Sequence, residues 1–205
     1  MLNSLLAVLI AGAAAAATSE LKFEESDHCV AYRVEKTMFL FKSDMVVGRN
    51  CDVSAQVLPE VGGLNHVEVN VPVRSFNSGD SDRDKDVLKI LLADQRPEIT
   101  FRSKAFSEAE WHSFFSKDNF PLEGQLYIGP NAYPVTLTVK YTEKDAFAEV
   151  QGAARVRFAD FQIKPPKVGG GLVAKSSSDF ELLFHLVSQR ILGADSLRLK
   201  TKEKQ

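Results

Sequence analysis

From His28 onward the chain carries apolar side chains at every second residue over run after run, and no other feature constrains its fold as strongly. In His66-Val67-Glu68-Val69-Asn70-Val71-Pro72-Val73 the valines alternate with other residues, which puts them on one face of an extended strand and leaves the opposite face to water. The same alternation marks 99–102, 122–128, 135–141, 150–158 and 180–186, and with candidates at 28–36 and 46–58 it predicts eight strands. Turn chemistry separates them at Gly62-Gly63, Gly129-Pro130-Asn131 and Glu143-Lys144-Asp145, with a longer joint at Pro165-Pro166-Lys167-Val168-Gly169-Gly170-Gly171. Short strands at this spacing mean a sandwich or a barrel. Two stretches change period. Residues 84–93 place Val87, Leu88, Leu91 and Leu92 at helical spacing, and 107–116 opens on Ser107-Glu108-Ala109-Glu110, a capping-box arrangement. The expected fold is therefore all-β, an eight-stranded antiparallel β-barrel with one or two short helices over an opening.

Whether such a barrel is solid depends on the bulk of its inward residues. The inward face of 148–158 reads Ala148, Val150, Gly152, Ala154, Val156, Phe158, small in the middle, and Ala55 and Gly124 add to this. Small residues leave room that a packed core would fill, while strand glycines equally mark bulges or sharp barrel corners.

The 205 residues, 44% hydrophobic and 25% charged, suffice for one core and one domain, and a net charge of -2 names no class of partner. At the N-terminus an apolar run from Leu5 to Ile10 leads into an alanine tract ending at Ala17, the pattern of a signal peptide cleaved near that residue, although no Lys or Arg precedes Lys22. Beyond it, charges interrupt every apolar stretch, so no stable membrane insertion is expected of the mature chain. The organisation read from these signals is a signal peptide at 1–17, a barrel at 18–190 and a basic C-terminal tail at 191–205, frayed from Arg198 to Lys204. Cys29 and Cys51 could form one bridge in an exported protein. Alternation argues against it: if Val30, Tyr32 and Val34 face inward, Cys29 faces outward, whereas Cys51 shares the inward face of Val53, Ala55 and Val57. Both outcomes stay open.

Four segments in order carry a family resemblance. They are Ser75-Phe76-Asn77-Ser78-Gly79-Asp80-Ser81-Asp82-Arg83-Asp84, then Arg96-Pro97-Glu98-Ile99-Thr100-Phe101-Arg102-Ser103, then Leu122-Glu123-Gly124-Gln125-Leu126-Tyr127-Ile128-Gly129 with Tyr133-Pro134-Val135-Thr136-Leu137 behind it, and Phe158-Ala159-Asp160-Phe161-Gln162-Ile163. Together they resemble the YceI-like family of exported lipid-binding proteins over residues 21–190, with Asp86 standing where the family usually has histidine. The resemblance implies a lipocalin-like barrel, a periplasmic location, and a polyisoprenoid threaded through an apolar tunnel. Its candidate walls are Val69, Val71, Ile99, Phe101, Leu126, Ile128, Val135, Leu137, Val139, Val156, Phe158, Phe180, Leu182 and Phe184. Arg83 and Asp84, as core motif positions, are expected to tie their loop to the barrel rim by charge-assisted hydrogen bonds.

Catalytic signatures are missing. The acidic run from Asp80 to Asp86 fails as a calcium loop, because Lys85 occupies the glycine position and Leu91 that of the bidentate glutamate. His28, His66, His112 and His185 form no i, i+4 metal pair and read as surface or strand residues. No nucleophile elbow, Walker loop or dinucleotide fingerprint occurs. The expectation is a binding protein and not an enzyme, without metal or cofactor beyond a bound isoprenoid or quinone-like ligand, its partner a small apolar lipid and not nucleic acid. Two other readings remain: an enzyme or redox accessory acting on an isoprenoid quinone, and a filled interaction module with no ligand. Whether two barrels pair as a homodimer is left open.

Overall fold

The structure is a computed structural model that describes residues 21–38, 43–168 and 174–197. The expected signal peptide at 1–17, the glycine run at 169–171 and the basic residues from Arg198 onward lie outside the described residues.

The described strands, in chain order, are β1 (Cys29–Met38), β2 (Ser43–Asn50), β3 (Ser54–Glu60), β4 (Leu64–Pro72), β5 (Glu98–Ser103), β6 (Phe106–Ser107), β7 (Phe120–Ile128), β8 (Asn131–Glu143), β9 (Ala148–Arg157), β10 (Lys167–Val168), β11 (Ala174–Val187) and β12 (Ile191–Leu192). They make one sheet in the order β12-β3-β4-β5-β7-β8-β9-β11-β1-β2, with β6 added on β4 and β10 on β11. Every pairing is antiparallel except that of β12 with β3. The sheet curls into a half-barrel around one interior, the barrel alternative of the two that the alternation allowed. Along β7 and β8 the buried and exposed residues alternate almost without a break. Their two-residue turn, Gly129-Pro130, opens at φ +60, a conformation that glycine enters without steric cost.

The strand count exceeds the expected eight. The expected strand at 46–58 is two strands, β2 and β3, because the backbone leaves the ladder after Asn50. The buried Asn50 side chain accepts from Asp52 N at 2.9 Å and donates to the Pro72 carbonyl at 2.7 Å, so it serves the bend in place of the sheet. Cys29 and Cys51 are bridged across this break, with Cα atoms 4.1 Å apart. They lie one step beyond the Val30–Asn50 pair, and Cys51 is exposed. The alternation argument against the bridge fails because Cys51 belongs to no strand.

α1 (Ser81–Ile90) begins three residues before its expected start, since Asp80 caps it by accepting from Asp82 N and Arg83 N. It buries none of its residues fully. α2 (Glu108–Phe115) follows the Ser107–Glu110 capping box and buries Trp111, whose indole donates to the Asn65 carbonyl at 3.3 Å.

Two chain ends are more structured than expected. Residues before β1 fold over the outer face of β1 and β11: Phe23 stacks on His185 at 5.7 Å, and Arg49 on β2 lies 5.2 Å above the Phe23 ring while bonding the Lys22 carbonyl and Asp27. This cover buries His28, Cys29 and His185 on what would otherwise be a wet face. At the other end the boundary expected at 190 falls inside the fold, because β12 pairs with β3 and the following 3-10 turn, Ala194–Leu197, buries Leu197.

Candidate functional site

The concave side of the curled sheet lines a partly open cavity of about 210 Å³. One water needs roughly 10–15 Å³ on this measure, so the space is more than a packing defect. Each wall strand contributes its inward alternate residues. β4 supplies Val67, Val69 and Val71, β7 supplies Phe120, Leu122 and Leu126, and β8 supplies Val135, Leu137, Val139 and Tyr141. β5, β11 and β1 add Ile99 and Phe101, then Leu182, Phe184 and Leu186, then Val30 and Tyr32. The lining is almost wholly apolar, and a few polar groups such as the Ser188 hydroxyl touch it.

Of the fourteen candidate wall residues, ten line this space: Val69, Val71, Ile99, Phe101, Leu126, Val135, Leu137, Val139, Leu182 and Phe184. Ile128, Val156, Phe158 and Phe180 do not. They pack with Val34, Val46, Tyr133, Phe161 and Ile163, where Phe158 meets Phe180 at 4.5 Å and Tyr133 meets Phe161 at 5.4 Å. These rings fill one part of the interior, so the lumen is partly solid and partly vacant.

α2 supplies lining that strand periodicity could not reveal. Trp111 and Phe115 reach the cavity, Phe115 stacks on Tyr141 at 4.3 Å, and Phe114 stacks on Phe120 at 5.0 Å. The signal was present as aromatic residues at 111, 114 and 115, one helical face. Ile191, Ala194 and Leu197, expected in the C-terminal tail, complete the wall.

The motif loop does not act as expected. Asp84 accepts from Ser78 N at 2.9 Å and from the Ser78 hydroxyl at 2.6 Å, while Arg83 donates to the Ser78 carbonyl and to Asp80. Both residues therefore fold the loop upon itself. The tie to the barrel is a backbone bridge between Asn77 and Arg49, with bonds of 2.8 and 2.9 Å. Tyr32 lies close to this loop: burial first, then the Asp84 carboxylate, pushes its phenol up to about 12, so it stays neutral.

Of the four histidines, His66 and His185 are strand residues of β4 and β11, and these two and His28 are buried. His28 accepts from Val187 N at 3.2 Å, and burial, followed by Arg190, lowers its pKa to about 4. His185 Nδ1 bonds the Asp27 carbonyl at 2.7 Å. His66 is held below its ordinary value by burial and by Arg102. Among the described residues no group of three or more His, Cys, Asp or Glu is placed to hold a metal ion, and no helix is long and apolar enough to cross a membrane.

The family model described as a YceI-like domain matches residues 14–187. This chain belongs to the YceI-like family. Among solved structures, this YceI-like chain is similar to BcnA of Burkholderia cenocepacia, at 21% identity and a TM-score of 0.58, covering 78% of this chain and 95% of that one. It is also similar to a polyisoprenoid binding domain from Saccharophagus degradans, at 13% identity and a TM-score of 0.52, covering 77% and 92%. A Campylobacter jejuni YCEI protein follows at 17% identity and a TM-score of 0.50, covering 68% and 82%. At these identities the likeness is one of fold. No curated protein matches the YceI-like chain.

Proposed function

We propose that this YceI-like protein is an exported, periplasmic carrier that holds a long apolar lipid of isoprenoid type inside its curled sheet, for transport, storage or sequestration, and performs no chemistry on it. The observation that carries this reading is the cavity itself, about 210 Å³ with an almost wholly apolar lining in the middle of the domain. An isoprenoid offers no hydrogen bonds along its length, so a site for it needs area and shape in place of polar groups. Each buried methylene contributes about 0.8 kcal/mol, so some twenty buried carbons supply roughly 16 kcal/mol before the cost of ordering the ligand. The fold shared with a polyisoprenoid binding domain supports the same ligand class. Export is supported by the signal-peptide pattern of residues 1–17 and by the Cys29–Cys51 bridge, a bond that persists in oxidising compartments.

Native mass spectrometry of the protein purified from its own host, before and after organic extraction, tests the reading. A mass adduct lost on extraction is the expected result. Protein that carries none, and takes up none of a series of added prenols, would overturn it.

A further inference from the structure

Three strand glycines stand across the ladder from aromatic residues that line the lumen, and none of them is required by its backbone. Gly48, Gly124 and Gly152 are absent from the positive-φ positions, which among the described glycines are 62, 63, 79, 129 and 193. A side chain is therefore excluded by space and not by conformation. At Gly48 the three nearest atoms all belong to an aromatic ring of the neighbouring strand, and at Gly124 and Gly152 the space is shared between such a ring and a backbone carbonyl, Arg102 O and Thr138 O. A Cβ on Gly48 would come within 3.0 Å of the Tyr32 ring, one on Gly124 within 3.0 Å of the Phe101 ring, and one on Gly152 within 3.0 Å of the Phe184 ring. Tyr32 and Gly48 are register partners across β1 and β2, as are Phe184 and Gly152 across β11 and β9, while Phe101 reaches Gly124 diagonally across β5 and β7. All three rings line the cavity. The pairs fall at three separate strand boundaries around the curl. A ring of this size on a wall without recesses would stand into the lumen, since strand side chains project roughly perpendicular to the sheet.

We propose that Gly48, Gly124 and Gly152 set the bore of the lumen, each providing a recess in which an aromatic ring lies down along the wall, so that a methyl-branched apolar chain has room to pass. The proposal rests on the lipid-carrier reading and deepens it by naming the residues that decide which ligands fit. The rings keep their contribution to apolar area, and the recesses remove their bulk from the ligand's path.

Gly48 is the position to test, because the three nearest atoms to its added Cβ all belong to the Tyr32 side chain, whereas Gly124 and Gly152 also face backbone carbonyls of the adjacent strand. The delipidated full chain, its G48A variant and the G48A/Y32A double variant are titrated with farnesol, geranylgeraniol and solanesol, and bound fractions are read by native mass spectrometry. G48A is expected to lower the affinity for solanesol at least tenfold and that for farnesol less than threefold, and Y32A on the G48A background to restore it. Wild-type and G48A proteins that load the three prenols alike would overturn the bore assignment while leaving the carrier reading intact, as would a double variant that stays impaired. A wild-type protein that loads none would overturn the carrier reading and this inference with it. Should G48A fail to fold, Y32W poses the same question, because the larger ring overflows an unchanged recess; its solanesol affinity is expected to fall, and an unchanged value would sink the proposal.

Discussion

At the scale of single residues, burial decides what the polar groups can do. His28 lies under the N-terminal cover with 1% of its surface exposed, and its pKa falls from 6.5 to about 4 through desolvation, the Arg190 charge and His185. Above pH 6.5 the ring is neutral whether the chain is folded or not. As pH drops below that value the unfolded state takes up a proton that the folded state refuses until about pH 4, so stability declines through this window. The difference amounts to roughly 3 kcal/mol. Urea unfolding at pH 7, 5.5 and 4.5 should show the decline, and His28→Asn, which offers Val187 N an acceptor without a titrating ring, should flatten it. A decline of equal steepness in the variant would assign the effect to other groups. Glu149 lies in the same region, 4% exposed, with Lys144 Nζ at 3.7 Å and His185 Nε2 at 3.9 Å.

At the scale of elements, the junction between β2 and β3 matters most, since these successive strands stand near opposite ends of the sheet order and are not paired with each other. The Cys29–Cys51 bridge, the Asn50–Pro72 bond and the Arg49–Asn77 bridge hold this junction. A crosslink between residues 22 apart in sequence is worth about 3 kcal/mol by the loop-entropy relation. Replacing both cysteines with alanine should lower the urea unfolding free energy by about that amount and raise the slope against urea, because the freed unfolded chain exposes more surface; an unchanged midpoint would show that the bridge adds nothing. The same junction shows where sequence reading succeeds and fails. The β7–β8 hairpin was legible because both strands keep strict alternation through a turn that only a few residue types suit. The bridge was not legible, because alternation was carried through Asn50, Cys51 and Asp52, where hydrogen bonds made by the Asn50 side chain end the ladder. The candidate walls were legible as an inward set, ten of fourteen reaching the cavity, but alternation carries no information about depth. It could not tell Phe184, which faces vacant space, from Phe158 and Phe180, which fill it with each other. The helical part of the lining was missed for the opposite reason, since Trp111 and Phe115 follow a period that a strand pattern does not register.

At the scale of the whole molecule, the fold spends its apolar residues on a shell around a hollow, and lining atoms without neighbours on that side lose dispersion contacts that an occupant would supply. Occupancy should therefore register as stability. A ligand present at 100 times its dissociation constant adds about 2.7 kcal/mol, which for a chain of this size corresponds to a rise in melting temperature of roughly 5–10 °C. Differential scanning calorimetry of extracted protein, with and without geranylgeraniol, measures this directly; superimposable transitions would count against a binding role for the interior. The external cover by residues 21–28 and the closing turn at Ala194–Leu197 extend the packed structure on both sides of the main run of strands.

The segment from Ile191 to Leu197 carries two duties at once: it caps the hydrogen-bonding margin of β3 and supplies side chains to the hollow. A chain cut at residue 190 would lose both together. Its bared margin would then be free to recruit strands from other molecules just as its greasy contents came into contact with water, so a carrier shortened there would become a seed for self-association.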